Sequence, residues 1–381
     1  MGTLKQISAD PLVTPMQRAL ALGRQALGTT SPNPAVGAVI VKEGAVIGEG
    51  FTLPPGQRHA EIGALEQAGG VAQGAELYTT LEPCCHFGRT PPCTEAIIAA
   101  GVKTVHLAVI DPNPQVAGRG CTQLQAAGIQ VVVEDTQGAR ELCEGFAKHI
   151  QSGMPFLTAK FAMSLDGKIA THTGDSKWVT GAASRRVVQE MRRECDAVLV
   201  GINTVLADDP LLTVRDEGGS PLLRQPLRVV LDSQCRTPSD AKMLREPGNT
   251  LIVTSESASP ARVAELADRG AQLLQVPLTE QGRVDLPETM AELGRRDVVN
   301  LLVEGGGIVL GSLFDAGLVD KVYAFIAPKI IGGEAAPTPV GGTGAPTMSQ
   351  SCQLERTRLE QIGEDWLIIG YPVPGYPVPR S

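Results

Sequence analysis

Three potential metal donors, His59, Cys84 and Cys93, constrain this chain more than any other feature, because each stands at the edge of a segment that must fold locally to bring it to the others. His59 opens residues 60–68, which read as a helix ended by Gly69 and Gly70. Cys84 follows a strand at 76–81 through Pro83, and Cys93 follows Pro91 and Pro92 at the start of a helix at 94–100, where the helix dipole favours a thiolate. Around these segments the pattern alternates. Thr14 and Pro15 start a helix whose apolar spacing runs over 16–27 and stops at Gly28. Residues 36–41 and 45–48 read as a hairpin turned by Lys42, Glu43 and Gly44, and a strand at 104–110, a helix near 122–127 and a strand at 129–133 follow. This is the pattern of a compact α/β domain.

Three donors leave the fourth position of a tetrahedral zinc ion to water, the arrangement of a catalytic site. Glu61, on the first turn after His59, falls near that open position. Hydrolytic removal of an amine from a nitrogen heterocycle needs water made nucleophilic near neutral pH and a group that moves its proton; zinc and Glu61 meet both needs. Two alternatives stand beside this reading: a closed structural zinc with Cys85 or His86 as fourth ligand, and reduced cysteines without metal. Closed sites usually use tighter paired spacings, and Cys85 adjoins Cys84 too closely to share one ion. The other cysteines, Cys121, Cys143, Cys195, Cys235 and Cys352, are too thinly spread for a disulfide framework.

At 381 residues the chain suits two domains. Residues 151–155 reset the pattern with Gly153 and Pro155, and a new strand at 156–162 follows. The expected divisions are a metal-site domain at 1–152, a second α/β domain at 153–370 and a disordered Pro-rich tail at 371–381, where Tyr-Pro-Val-Pro occurs twice. Strand candidates in the second domain lie at 197–200, 227–231, 251–254, 273–276, 298–303 and 322–326. Glu304-Gly305-Gly306-Gly307 follows a strand and precedes a helical stretch at 308–316. Its glycine amides could cradle a phosphate, and a plain tight turn explains it equally well. Leu310 stands where the dinucleotide fingerprint would put its last glycine. A net charge of −8, no block of Lys or Arg and 3% aromatic residues disfavour a nucleic-acid partner. Apolar runs are strand-sized, so the expectation is a cytoplasmic protein with no membrane contact.

The segments Pro-Asn-Pro-Ala-Val-Gly at 32–37, His-Ala-Glu at 59–61, Pro-Cys-Cys-His-Phe-Gly-Arg-Thr-Pro-Pro-Cys at 83–93 and Asp-Pro-Asn-Pro-Gln-Val-Ala-Gly-Arg-Gly at 111–120 together resemble the bifunctional deaminase/reductases of riboflavin biosynthesis. Nucleobase deaminases usually have two residues between the cysteines, and this family has the longer insertion seen here. In the second half, Lys-Phe-Ala-Met-Ser-Leu-Asp-Gly-Lys at 160–168, Gly-Asp-Ser-Lys-Trp at 174–178, Thr-Val-Leu-Ala-Asp-Asp-Pro at 204–210 and Val-Glu-Gly-Gly at 303–306 resemble the reductase part of the same family.

The resemblance implies a three-layer domain of cytidine-deaminase type followed by an α/β domain like dihydrofolate reductase. It implies zinc-dependent deamination of a phosphoribosylamino-diaminopyrimidinone, then NADPH-dependent reduction of its ribosyl group to ribityl, by a homo-oligomer acting on a small molecule. Carried over by residue, His59, Cys84 and Cys93 hold zinc, Glu61 is the acid/base, and Asn33, His86 and Arg89 meet substrate. NADPH falls to Ala162, Trp178, Thr204, Asp208, Ser233 and the run Gly306, Gly307, Ile308, Val309, Leu310, Gly311 and Ser312. The second substrate site takes Ser176, Arg192, Leu212, Arg215 and Glu304, the two arginines suiting a phosphate through forked hydrogen bonds. Lys160, Asp208 and Glu304 are expected around one cleft as the catalytic set, orienting the sugar and handling its protons. Their alternative is surface charge or a structural salt bridge, and that of Trp178 is a core position.

Two positions depart from the family: Cys85 stands where Ser is usual, and Thr52 where a His commonly precedes the ligand His by seven residues. One substrate contact is therefore expected to be weaker or rearranged, with no metal ligand lost. Two other readings compete. A nucleic-acid-editing deaminase fused to an unrelated module would need the basic, aromatic groove that this composition lacks. A zinc-stabilised scaffold would have no use for Glu61.

Overall fold

The computed structural model describes residues 13–88 and 90–373; Arg89 and residues 374–381 of the Pro-rich tail lie outside the described residues. The chain divides into two compact units between Gly153 and Met154. No helix among the described residues is long and apolar enough to cross a membrane.

The first unit runs α1 (Pro15–Ala26), β1 (Gly37–Lys42), β2 (Ala45–Phe51), α2 (Ala60–Ala68), β3 (Glu76–Thr79), α3 (Cys93–Ala99), β4 (Thr104–Leu107), α4 (Arg119–Ala126), β5 (Gln130–Val133) and α5 (Gln137–Ser152). Thr14 caps α1 through a reciprocal capping box with Gln17, with Pro15 at the first helical position. The sheet order is β2-β1-β3-β4-β5; β1 pairs antiparallel with β2 and β3, and β3, β4 and β5 run parallel. Alternation along β1 sends Ala38 and Ile40 into a core with Ala60, Ile97 and Leu124 of α2, α3 and α4. Val39 points the other way, into a core with Met16, Ala19 and Ala139 of α1 and α5. Helices on both faces make a three-layer unit. The pattern reading has no counterpart for α5, because Gly138 and Gly145 lie within it and break the apolar period.

The second unit contains β6 (Phe156–Ser164), α6 (Ala182–Glu194), β7 (Ala197–Gly201), α7 (Ile202–Asp208), β8 (Leu227–Leu231), β9 (Thr250–Thr254), α8 (Pro260–Asp268), β10 (Gln272–Gln275), α9 (Leu286–Arg295), β11 (Asn300–Val303), α10 (Gly307–Asp315), β12 (Lys321–Ala327), β13 (Leu354–Ile362) and β14 (Asp365–Pro372). They form one nine-stranded sheet, β10-β9-β8-β7-β11-β6-β12-β14-β13. From β10 to β12 it is parallel, and β14 and β13 close it as an antiparallel edge. Leu199, Val229 and Leu251 face Met290, Leu293 and Leu310 on one side, while Val198, Val230 and Ile252 face Val205 and Leu266 on the other. Both faces being covered, these strands read as continuous apolar runs.

The tail begins later than the sequence reading places it. Tyr371 and Pro372 belong to β14, and the Tyr371 ring is buried, with the Arg356 guanidinium 3.6 Å from its centre. The Tyr-Pro-Val-Pro composition suggests extended backbone, which is also strand backbone; pairing with β12 and β13 decides between them. The parallel order sets the carboxyl ends of β8, β7, β11 and β6 side by side, and sheets of this kind bind ligands outside those ends.

Candidate active sites

In the first unit His59 is the N-cap residue of α2, Cys93 opens α3 behind Pro92, and Cys84 lies in the loop that leaves β3. Two helix starts and one strand exit thus converge. His59 Nδ1 lies 3.6 Å from Cys84 Sγ and 3.4 Å from Cys93 Sγ, and all three donor atoms fall within 4.8 Å of one another. Zinc bonds of ~2.3 Å to sulfur and ~2.0–2.1 Å to nitrogen at a tetrahedral angle require N···S separations of about 3.5 Å, so the donors fit the ion. Cys85 and His86 are not in the donor group among the described residues, which removes the proposed fourth ligands of a closed site. Hydrogen bonding with Cys93, helped by His59, brings the Cys84 thiol down to about 4 despite its burial, and the Cys93 thiol that shares its proton with Cys84 is raised. The hydrogen bond to Cys84 likewise raises the His59 imidazole.

Glu61 sits on the first turn of α2, 4% exposed, with Oε2 3.6 Å from Cys93 Sγ. Burial pushes its carboxyl up to about 7, the neighbouring Cys84 thiolate adding to the effect. A carboxyl with that affinity takes and returns a proton near neutral pH.

A residue that the sequence reading passed over holds this site together. Glu82 is 2% exposed, and its carboxylate accepts hydrogen bonds from the backbone N–H groups of Asp111, Gly118 and Cys121. It gathers the 111–121 segment against the loop that carries Cys84. The approach is so close that a Cβ on Gly120 would lie 2.3 Å from Pro83 O. Thr94 ties the same loop from the other side, both its N–H and its hydroxyl donating to Cys84 O. The motif at 111–120 carries the signal: its backbone N–H groups at Asp111 and Gly118 need a buried acceptor. Asp111, buried beside Glu82, is pushed up to about 6 by burial first and by that neighbour.

Of the expected substrate contacts, Asn33 is half-buried and His86 exposed near the site, while Arg89 lies outside the described residues. Thr52 explains its own departure. It is buried, and its hydroxyl exchanges hydrogen bonds with the backbone of Val36, so it supports β1.

In the second unit Lys160 of β6, Arg192 of α6 and Glu304 beyond β11 meet in a buried cluster. Lys160 Nζ is 3.7 Å from Glu304 Oε2, and Arg192 grips both Glu304 oxygens, with Nη2···Oε2 at 3.0 Å. Burial alone would raise Glu304; Arg192 and Lys160 outweigh it and hold the carboxylate below its ordinary value. Burial lowers Lys160. Asp208 accepts a hydrogen bond from Ser176 Oγ at 3.2 Å. Arg192 and Arg215 do not present free forks: Arg192 also donates to Thr213 O, and Arg215 pairs with Glu246 at 2.8 Å. Leu212 is buried, and Trp178 is 64% exposed with the Arg185 guanidinium 4.4 Å from its ring centre. Trp178 is therefore not a core residue.

A cleft of about 830 Å³ opens at the carboxyl ends of β7, β8 and β11. Thr204, Ser233, Gly306, Gly307, Ile308, Val309 and Ser312 line it. Gly306 has φ +79°, which a side chain would strain, and a Cβ on Gly307 would lie 2.7 Å from Thr338 O. The turn delivers the N-terminus of α10 to the cleft, an arrangement suited to a phosphate. Leu310 and Gly311 are buried away from it, Leu310 in the sheet core and Gly311 against the backbone of Gly341. Ala162, Trp178 and Asp208 are not among the lining residues.

Residues 155–368 match the family described as the RibD C-terminal domain, and residues 12–109 match the cytidine and deoxycytidylate deaminase zinc-binding region. The riboflavin biosynthesis protein RibD of Aquifex aeolicus is 43% identical over 355 residues, covering 93% of this chain and 96% of the relative. That of Escherichia coli is 44% identical over 330 residues, covering 84% and 88%. Among solved structures, Acinetobacter baumannii RibD superposes with a TM-score of 0.82 at 38% identity, covering 94% of this chain and 98% of the other. The Thermotoga maritima diaminohydroxyphosphoribosylaminopyrimidine deaminase/5-amino-6-(5-phosphoribosylamino)uracil reductase gives a TM-score of 0.80 at 36% identity, with the same coverage. Since these matches run through both units and their two sites, the chain belongs to the RibD family of bifunctional deaminase/reductases in riboflavin biosynthesis.

Proposed function

We propose that residues 1–152 hydrolytically deaminate a diaminopyrimidinone bearing a phosphoribosylamino group, and that the unit from residue 153 onward reduces the ribosyl group of the product to ribityl. The observation that carries this reading is the separation of two buried constellations: His59, Cys84 and Cys93 with Glu61 in one unit, Lys160 with Glu304 in the other. Zinc held by His59, Cys84 and Cys93 would lower the pKa of a bound water to about 7, and NADPH held by the glycine turn would supply hydride. Glu61 takes one proton from the attacking water at a carboxylate oxygen and gives it to the ring nitrogen, then takes the proton of the new hydroxyl and gives it to the amine, which leaves as ammonia. Lys160 and Glu304 orient the sugar and hold its protons, and Arg192 fixes the Glu304 carboxylate. Asn33, His86 and Arg89 meet the first substrate, and Ser176, Asp208, Leu212 and Arg215 border the second site. Eight free cysteines suit a reducing cytoplasm, and the net charge of −8 suits a small-molecule enzyme without a nucleic-acid partner. The same reading makes the enzyme a homo-oligomer, which sedimentation of the purified chain checks. Incubation with the diaminopyrimidinone phosphate should release ammonia with or without NADPH and form the ribityl compound only with it. A chain that releases no ammonia when loaded with zinc contradicts the proposal.

A further inference from the structure

We infer that Thr90 is a positioning residue of the metal centre: its hydroxyl accepts the Nε2–H of His59 and so holds the imidazole with Nδ1 aimed at Cys84 and Cys93. The inference rests on the reading of those three residues as a zinc site.

His59 faces both sulfurs through Nδ1, at 3.6 Å from Cys84 Sγ and 3.4 Å from Cys93 Sγ. A neutral imidazole that gives the lone pair of one nitrogen to a metal carries its proton on the other, so Nε2 has a hydrogen to donate. Thr90 Oγ1 lies 3.3 Å from that nitrogen. Helix α2 does not fix the ring by itself: His59 is its N-cap residue, and the side chain makes no capping hydrogen bond. Without a partner on Nε2 the ring would be free to turn about its Cβ–Cγ bond and carry Nδ1 away from the sulfurs. Metal-ligating histidines are held through the second nitrogen by a carboxylate, a carbonyl or water, and here a hydroxyl takes that place.

The local sequence explains how a surface loop delivers this hydroxyl. Thr90 is followed by Pro91 and Pro92, and Cys93 then opens α3. The ring of each proline fixes φ, and Pro92 stands at φ −62° and ψ 134°, in polyproline geometry. The pair is a stiff arm between Thr90 and a metal ligand. Its far end is anchored, because Cys93 is fully buried and its N–H donates to Cys84 Sγ at 3.3 Å. Its near end is a turn in which Thr90 O accepts from Gly88 N at 3.3 Å, and Thr90 itself is half-buried. The segment between the two ligand cysteines thus carries His86 and Arg89 outward and brings one oxygen back to His59.

The test is the zinc affinity of the full-length, zinc-loaded protein, titrated with a chromogenic chelator, for the unaltered chain, Thr90→Val, Thr90→Ala, Thr90→Ser and Phe87→Ala. Thr90→Val and Thr90→Ala should each bind zinc about 10- to 100-fold more weakly, the range for losing such a partner of a ligating histidine. Thr90→Ser keeps the hydroxyl and should bind close to the parent. Phe87 is an exposed side chain of the same segment, and Phe87→Ala should bind as the parent does. Cobalt in place of zinc should keep its thiolate-to-metal charge-transfer absorption in Thr90→Val, because no ligand is lost. The inference is overturned if Thr90→Val and Thr90→Ala hold zinc as tightly as the parent, or if Thr90→Ser or Phe87→Ala is as weak as they are. An unaltered chain that takes up no zinc overturns the reading of the metal site itself, and this inference with it.

Discussion

Glu61 and Glu304 are both buried carboxylates, and their surroundings drive them in opposite directions. Glu61 has apolar cover and an anionic thiolate beside it, so it holds a proton to about pH 7; Glu304 has Arg192 and Lys160, so it stays ionised. One is placed to move protons and the other to fix charge. Replacing Glu61 by Gln should leave about one zinc per chain and cut ammonia release by at least ~10²-fold, the scale of a general acid/base. Metal analysis of Cys93→Ser and Cys85→Ser checks the ligand set: the first should lose zinc and the second keep it. Full zinc in Cys93→Ser would mean that the three-donor geometry has been misread.

At the scale of elements, the central question is what keeps two helix starts and a strand exit in register. Glu82 does much of this through three backbone N–H groups, and no apolar period or metal spacing marks it. Glu82→Gln turns an amide donor toward those donors, so thermal or urea unfolding should show a loss of about 2–3 kcal/mol in the first unit. A variant as stable as the parent would contradict the account. The strands and most helices were legible in the sequence because both sheets bury two faces, which leaves uninterrupted apolar runs. The exceptions are α5, which contains two glycines, and the last two strands: β13 is an exposed polar edge strand whose pairing with β14 outweighs its lack of pattern, and β14 lies beyond the last strand candidate at 322–326. The zinc donors were legible because ligand chemistry tolerates few residue types. The reductase site was less so. The resemblance assigns Arg192 to a substrate phosphate, and no spacing shows that Glu304 occupies its fork or that Asp208 accepts from Ser176.

For the whole molecule, the division between Gly153 and Met154 assigns each unit its own cores and its own candidate site. A fragment of residues 154–381 should therefore fold and bind NADPH without the first unit, as circular dichroism and nucleotide titration would report. A well-folded fragment with no affinity for NADPH would count against the assignment. The central claim, that the two chemistries separate by unit, is tested most directly by chromatography of products from the diaminopyrimidinone phosphate with NADPH present. Glu304→Gln should release ammonia at the parent rate and stop at the deaminated ribosyl compound, since losing a positioning contact can cost ~10²-fold in the step it serves. Glu61→Gln should give no product from that substrate, yet oxidise NADPH normally when supplied with the deaminated compound. A reduced but still aminated ribityl product from Glu61→Gln at parental speed would show that reduction does not wait for deamination and would contradict the account.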